Sequence, residues 1–486
     1  FFLTPSKEAF MARLRIPGGS LKSFQLREIA KVAQQLTTGY VQITTRANLQ
    51  IRLIESKNAP DVLRRIQSVG LHTRGAGADN IRNITANPTA GIDPHELIDV
   101  MPLCEELAQI IINDRSFYDM PRKFNIAYDG GGLIGTVEDT NDIGAKAVRV
   151  TEGANIPGVE PGIYFRIALG GATGHKAFAS DIGVLVKPEE LNKVIVALVR
   201  VFIENGNRTD RKKARLKHLL EKWTLAQYLD ETEKMLGYQL LRAPADATAI
   251  EYPGQDLPHS HVGVYPQKQA GFHYIGAMPS VGQITPKQML RIAEIADLYG
   301  SGEVRLTVWQ NLIIPNVPDA FVETAKKALK KLGFATEQSN IRSGLIACTG
   351  NSYCKFAQAN TKGHALELAT YLEKKLTLDQ PLNIHLTGCP NSCAQHYMGD
   401  IGLLGAKVKV AGESVEGYHV FVGGGFGKHQ AVGRQVFTGV AFGDLPLTLE
   451  KMLRGYLRHR TERETFQSFT QRHDLNTLQA IFSNEE

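Results

Sequence analysis

Cysteine is scarce in this sequence. The chain has 5 Cys among 486 residues, and the number is odd. Small secreted proteins that depend on disulfides carry many more cysteines, usually in an even number. The composition therefore argues against a disulfide framework and fits a reducing compartment.

Other features that would define a class of function are also absent. No apolar run approaches the roughly 20 residues that cross a bilayer, so we expect no membrane association. The net charge is only +6, and no basic arm or strip of alternating basic and aromatic residues occurs, so we expect no nucleic-acid partner. The glycine-rich segment 423–427 does not match a dinucleotide-binding fingerprint. The sequence therefore gives no sign of a dinucleotide-binding site of its own.

An internal duplication organises the chain, whose composition is that of an ordinary globular protein of two to four domains. The motifs Ile29-Ala30, Gly39 and Asn48-Leu49 recur as Ile292-Ala293, Gly302 and Asn311-Leu312. Within each copy, apolar residues three or four apart predict a helix, and alternating β-branched residues then predict strands. We predict an α+β protein with mixed sheets and an internal pseudo-twofold axis.

We expect three domains from this duplication. The first pairs residues 1–72 with residues 261–335, so that each copy supplies one half. The stretches 73–260 and 336–486 form two matching domains. A pocket for a large planar cofactor at the interface between the halves would be lined by residues of both halves.

Four of the five cysteines fall in two close pairs. Cys348 and Cys354 are separated by five residues, and Cys389 and Cys393 by three, each pair among Gly, Asn, Pro or Ser. Structural zinc prefers spacings of two to four residues, whereas a 4Fe-4S cluster accepts thiolates at varied spacings. We favour the cluster, while zinc and unliganded buried thiols remain open alternatives.

The pattern resembles the siroheme-dependent nitrite and sulfite reductase family, and the likeness extends to segment 399–405 and covers nearly the whole chain. In that family the two cysteine pairs hold a 4Fe-4S cluster, and the last thiolate also ligates the siroheme iron. The resemblance implies that Cys393 has this double role. It also implies ferredoxin-like half-domains paired in the first domain, and reduced ferredoxin as the electron donor.

Siroheme carries eight carboxylates, so its burial demands many cations and hydrogen-bond donors. Arg46, Gln50 and Arg52 alternate along a predicted strand and would share one face. A second basic run would usually be a solvated helix face, but it matches a family segment that contacts siroheme carboxylates. Its candidate residues are Asn207, Arg208, Arg211, Arg215 and Lys217.

Four positions match the residues that surround the substrate in this family. They are Arg13, Arg82, Lys123 and Asn125. Fixed cations attract a small oxyanion and can supply protons. Sulfite reductases of the family carry Lys where this chain has Asn125, and ferredoxin-type nitrite reductases carry Asn.

We therefore predict a six-electron reduction of nitrite to ammonium, with sulfite reduction as the near alternative and a zinc-stabilised binding protein as the distant one. The chain begins at Phe1 rather than Met. We expect a cytoplasmic protein, or a plastid stromal one if a transit peptide has been removed. Cys104 lies in an apolar stretch, Leu103 to Ile112, and is predicted to be a core thiol in a helix. Trp309 is predicted to lie in a strand of the second copy, in the core or at an interface.

Overall fold

The computed structural model describes residues 1–4, 8–37, 39–154, 156–248, 250–253 and 257–483. The strands are β1 (Phe2–Leu3), β2 (Ala9–Arg13), β3 (Ser20–Lys22), β4 (Val41–Ile43), β5 (Leu49–Glu55), β6 (Ile126–Asp129), β7 (Ile143–Val150), β8 (Gly162–Leu169), β9 (Ser180–Val186), β10 (Leu241–Arg242), β11 (Gly263–Pro266), β12 (Phe272–Ala277), β13 (Gln283–Ile284), β14 (Glu303–Leu306), β15 (Leu312–Pro318), β16 (Leu345–Ala347), β17 (Ile384–Thr387), β18 (Ile401–Val410), β19 (Glu413–Val422) and β20 (Arg434–Ala441). The helices are α1 (Ser23–Leu36), α2 (Ala59–Ser68), α3 (Met101–Asn113), α4 (Leu191–Asn205), α5 (Leu216–Leu220), α6 (Leu225–Leu236), α7 (Pro286–Tyr299), α8 (Val322–Lys331), α9 (Thr361–Lys375), α10 (Leu445–His459), α11 (Phe466–Arg472) and α12 (Leu475–Ser483).

The two copies of the duplicated unit exchange an edge strand. One sheet has the order β1-β2-β5-β4-β13, and the other has the order β11-β12-β15-β14-β3. Strand β13 of the second copy pairs antiparallel with β4 of the first, and β3 of the first pairs antiparallel with β14 of the second. Each sheet therefore depends on the other copy for its last strand.

The helices α1 and α7 pack against each other and against strands of these sheets. The apolar positions that the duplication singled out, including Ile29, Ala30, Ile292 and Ala293, are completely buried in one shared core. Together with Leu26 and Ala33 in α1, and with Met289 and Ala296 in α7, they form a pattern of apolar residues three or four apart on the inner face of each helix. The two copies are thus joined by a common core as well as by exchanged strands.

Two further mixed sheets carry the segments between and after the copies. One has the order β10-β9-β8-β7-β6, and the other has the order β16-β17-β18-β19-β20. Strands β6 and β7 are parallel, as are β17 and β18, and the hairpins that follow are antiparallel. The predicted α+β fold with mixed sheets is confirmed.

The matching sheets share a detailed local structure. The Asn125 backbone N–H donates to Asp142 Oδ2 at 2.8 Å, and the Asn383 N–H donates to Asp400 Oδ2 at 2.7 Å. In both halves this aspartate begins an Asp-Ile-Gly segment at the start of a strand. The same hydrogen bond at the same place makes the two halves structurally equivalent around these residues.

Two sequence predictions about position are wrong in detail. Arg46 does not lie in a strand with Gln50 and Arg52, because β4 and β5 are joined by a turn that contains it. Trp309 lies in the corresponding turn between β14 and β15, where it is buried. Cys104 lies in α3 and is completely buried, as predicted.

Within the described part of the chain, no helix is both long enough and apolar enough to cross a membrane.

The glycines of the two Asp-Ile-Gly segments are required by close backbone approach. A Cβ on Gly402 would lie 2.0 Å from the His396 carbonyl oxygen, and one on Gly144 would lie 2.7 Å from the Glu138 carbonyl oxygen. We expect Gly402→Ala to lower the free energy of unfolding by about 1–3 kcal/mol, the usual cost of overpacking. Thermal unfolding followed by circular dichroism measures the loss. Gly443→Ala, where no atom lies within 4 Å of the added Cβ, is the control, and equal unfolding midpoints for the two variants would refute the steric argument.

Candidate metal and cofactor site

The four paired cysteines lie at one edge of a sheet, after the neighbouring parallel strands β16 and β17. Cys348 directly follows β16, and its N–H donates to the Leu386 carbonyl of β17 at 3.0 Å. Cys389 and Cys393 lie in the loop after β17. Because parallel strands end at the same edge, residues distant in the sequence meet there. Cys354 follows the turn after Cys348 and lies near the other three cysteines.

The four thiols lie close enough to interact electrostatically. The pKa of Cys389 is raised to about 11, mainly by burial, and Cys393, Cys354 and Cys348 contribute to this rise. Within the described ranges, no group of three or more His, Cys, Asp or Glu side chains converges closely enough to hold a single metal ion. Four thiols spread around a wider space fit the donor set of a 4Fe-4S cluster.

The backbone around Cys348 is shaped for a close approach of thiolates. The Gly388 N–H donates to Cys348 Sγ at 3.2 Å, and a Cβ on Gly388 would lie 2.6 Å from the Ala357 side chain. Cys348 Sγ also lies 3.5 Å from Thr361 Oγ1. Hydrogen bonds to a thiolate stabilise its charged form, which is the form that binds iron.

Four cations surround Cys393, the exposed member of the set. Each of them interacts electrostatically with this thiol. They are Arg13, Arg46, Arg82 and Lys123. All three predicted substrate cations therefore lie beside the predicted bridging cysteine.

These cations have few negative partners. Arg13 and Arg82 donate to the same Ala76 carbonyl, at 3.3 and 3.5 Å, and the buried Nε of Arg82 has no hydrogen-bond partner. Within the described part of the chain, Lys123 makes no hydrogen bond and no ion pair. Its pKa is lowered to about 8, mainly by burial and also by the positive charge of Arg215. An anion bound here would compensate charge that the protein leaves unpaired.

Asn125 is held in the same cluster by a buried ion pair. With its amide oriented to satisfy both neighbours, Asn125 accepts from Arg46 at 2.9 Å and donates to the Phe124 carbonyl at 3.3 Å. Asp142, which binds the Asn125 backbone, accepts from Arg215 at 2.7 and 3.1 Å. Arg215, which was predicted to bind the cofactor, therefore forms an ion pair with Asp142. Asp142 in turn holds the backbone of Asn125 in place.

Gln50 and Arg52 face the cysteine loop. Arg52 donates to Gln42 Oε1 at 2.6 Å, to Gln50 and to Thr349 Oγ1 at 2.7 Å. Thr349 directly follows the first cysteine of the cluster loop. The structure therefore places these two predicted siroheme residues on the cluster side of the site.

The other four candidates of the basic run are exposed or half-buried and bind other partners. Asn207 accepts from the Thr209 N–H of its own loop, Arg208 contacts Asp119, Arg211 pairs with Asp79, and Lys217 pairs with Glu221. Within the described residues, none of these four side chains contacts the cation cluster of Arg13, Arg46, Arg82 and Lys123. Their proposed role toward siroheme carboxylates stays a prediction.

A separate cavity of about 300 Å³ is lined by residues of both halves, including Asp129 and Lys146 of the first and Asn383 and Asp400 of the second. By the sequence offsets between the two copies, Trp309 of this lining corresponds to Arg46, Pro381 to Lys123 and Gly135 to Cys393. At these positions the cavity has neither the thiol nor the two cations. In the described part of the chain Asp400 has no arginine partner, and burial raises its pKa to about 7. The cations beside Cys393 therefore suit a polycarboxylate cofactor better than this lining does.

Sequence reasoning missed several residues that position the site. Asp142 holds Asn125, Thr349 joins Arg52 to the cluster loop, and Asn83 fixes the turn of Arg46 by donating to the Arg46 carbonyl at 3.1 Å. Comparison of the repeated Asp-Ile-Gly segments could have identified Asp142. No sequence pattern identifies Thr349 or Asn83, because their contacts with the site exist only in the folded structure.

Comparisons with known proteins agree with this geometry. The family described as "Nitrite and sulphite reductase 4Fe-4S domain" matches residues 77–240 and 338–486. The family described as "Nitrite/Sulfite reductase ferredoxin-like half domain" matches residues 4–69 and 265–332. The second pair of ranges coincides with the two copies that exchange strands.

Similar proteins cover most of the chain. A ferredoxin–nitrite reductase of Synechococcus elongatus is 37% identical over 93% of this chain and 86% of that relative. The chloroplastic ferredoxin–nitrite reductase of Spinacia oleracea is 33% identical over 87% of this chain and 71% of its own length. The solved structure of the Mycobacterium tuberculosis NirA protein superposes with a TM-score of 0.88 at 30% identity, covering 96% of this chain and 84% of that one. The chain therefore belongs to the nitrite and sulphite reductase family.

Proposed function

We propose that the protein reduces nitrite to ammonium at a siroheme coupled to a 4Fe-4S cluster. The observation that carries this proposal is the group of unpaired cations, Arg13, Arg82 and Lys123, beside the thiol of Cys393. The names of the similar proteins support nitrite as the substrate.

The residues of the site fit both groups. Cys348, Cys354, Cys389 and Cys393 would hold the cluster, and Cys393 would also ligate the siroheme iron. The cation cluster and Arg46 would bind siroheme carboxylates or substrate. When bound, the two groups supply single electrons to the oxyanion and an iron to which it can bind.

The side chains of the pocket bind the anion and supply protons. Arg13 and Arg82 carry fixed positive charge at neutral pH and attract a small oxyanion. Because burial lowers the pKa of the Lys123 ammonium to about 8, this group can release a proton near neutral pH. Cleavage of N–O bonds consumes protons, so a donor that is partly deprotonated at working pH suits the reaction.

Asn125 favours nitrite over sulfite in this pocket. It is buried, uncharged and hydrogen-bonded to Arg46. A neutral amide limits the positive charge that the pocket presents, which suits a monoanion better than a dianion. Sulfite reduction is the alternative function, and a colourless protein would instead favour the zinc-stabilised binding protein.

Reduced ferredoxin is the proposed donor, as the names of the similar proteins suggest. The cluster loop reaches the surface beside Cys354, where Phe356 is 56% exposed and the Lys355 ammonium lies 5.2 Å from its ring. An exposed aromatic ring with an adjacent cation, next to a cluster ligand, suits an acidic electron carrier.

The first test concerns substrate choice. Asn125→Lys adds a cation, so we expect the ratio of kcat/KM for sulfite to kcat/KM for nitrite to rise by about one to two orders of magnitude. Both anions are measured with the same artificial reductant, so that donor docking does not contribute. Asn125→Gln, which keeps a neutral amide, is the control and should leave the ratio near that of the wild type. An unchanged ratio in Asn125→Lys with full siroheme loading would show that Asn125 does not set the substrate charge.

The second test concerns the donor. Because docking between opposite charges is screened by salt, the KM for reduced ferredoxin should rise severalfold between low and physiological ionic strength. Lys355→Gln should raise the same KM, and both effects should vanish with a small artificial reductant. Full activity with NADPH alone, or a ferredoxin KM that does not depend on salt, would contradict the proposed donor.

A further inference from the structure

A buried lysine lies directly behind the cysteine loop. Lys362 is the second residue of α9 and only 5% exposed. Its ammonium donates to the Ala347 carbonyl at 3.1 Å and to the Val281 carbonyl. Ala347 immediately precedes Cys348, so this charge sits one residue away from a proposed cluster ligand. Neither the proposed mechanism nor the sequence analysis assigns it a role.

The ammonium of Lys362 has no carboxylate partner in the part of the chain that the structure describes. Its pKa is lowered to about 7, mainly by burial; the thiol of Cys348 opposes this shift and the charge of Arg52 adds to it. Two backbone carbonyls satisfy hydrogen bonds but do not neutralise a charge, and a buried charge without a counter-charge is costly. An anion on the cysteine side of Lys362 would supply the missing counter-charge.

A 4Fe-4S cluster held by four thiolates is such an anion. It carries negative charge in its oxidised state and gains one further negative charge when it accepts an electron. A buried cation nearby stabilises the reduced state more than the oxidised state, because the Coulomb attraction grows with the charge of the cluster. Water does not screen this attraction, since Lys362 is buried.

We propose that Lys362 is the buried counter-charge of the iron–sulfur cluster and raises its reduction potential. In the step concerned, one electron passes from a reduced one-electron donor to the oxidised cluster, and no covalent bond is made or broken. Lys362 touches neither substrate nor reacting atoms and acts through the Cys348 loop, so it is a positioning residue. This proposal rests on the assignment of the cluster to the four cysteines.

Arg52, the other cation near the cluster loop, is less suited to this role. Its guanidinium is shared among Gln42, Gln50 and Thr349 and lies 5.8 Å from the Tyr353 ring. Lys362 is bound only by carbonyls, which leave its charge uncompensated. The competing explanation is that Lys362 merely ties Val281 to Ala347 by hydrogen bonds, and a reduction potential distinguishes the two.

The test is a redox titration of the purified, cluster-loaded protein, in which electron paramagnetic resonance reports the reduced cluster. Lys362→Met removes charge and hydrogen bonds, Lys362→Gln removes the charge but keeps a donor, and Lys362→Arg keeps the charge. Lys409→Met removes the same formal charge from an exposed position of β18. Iron content is measured in every variant, so that a wrong cluster assignment would be recognised separately as protein without iron in the wild type.

We expect the ratio of reduced to oxidised cluster at a fixed electrode potential to fall about tenfold in Lys362→Met and Lys362→Gln, which is 59 mV for a one-electron couple. Lys362→Arg and Lys409→Met should retain the wild-type ratio. Unchanged potentials in the two neutral variants would overturn the proposal. So would an equal fall in Lys362→Arg, or loss of the cluster in all three Lys362 variants, because either result assigns the residue a purely structural role.

Discussion

Unpaired positive charge around one cysteine is the constraint on which the rest of this structure depends. Arg13, Arg46, Arg82 and Lys123 come from four separate segments and lie beside Cys393, and within the described residues none of them forms an ion pair with a carboxylate. Proteins rarely leave cations buried and uncompensated unless a bound anion restores the balance. The duplicated core, the exchanged strands and the buried pair of Asp142 and Arg215 hold these charges in place.

Duplication explains how one chain builds such a site and why it builds only one. The two halves keep the same backbone, including the Asp-Ile-Gly segments and the hydrogen bond to their aspartates. They differ in the side chains at corresponding positions, such as Arg46 and Trp309 or Lys123 and Pro381. The first half supplies Arg46, Lys123 and Arg215 while the second supplies Cys393, so the functional site takes its cations from one half and its thiolate from the other.

Much of the fold could be predicted from the sequence because its signals are local or repeated. Apolar spacing identified the paired helices, the repeated motifs identified the exchanged half-domains, and cysteine spacing identified the proposed cluster ligands. The alternation of Arg46 with Gln50 and Arg52 predicts that all three lie in one strand. The structure instead has a turn between β4 and β5, and Arg46 lies in that turn. The partners of Arg52 and the burial of Lys362 depend on contacts between residues far apart in the chain, which no local pattern reports.

The central claim is that the thiolate of Cys393 serves both metal groups, and its replacement tests this claim most directly. The measurement is the visible absorption spectrum and iron content of purified Cys393→Ser, compared with Cys104→Ser, whose thiol is completely buried in α3. A serine hydroxyl is a poor ligand for either iron group, so the account predicts loss of siroheme bands and of cluster iron together in Cys393→Ser, and retention of both in Cys104→Ser. A normal spectrum and full iron content in Cys393→Ser would contradict the account.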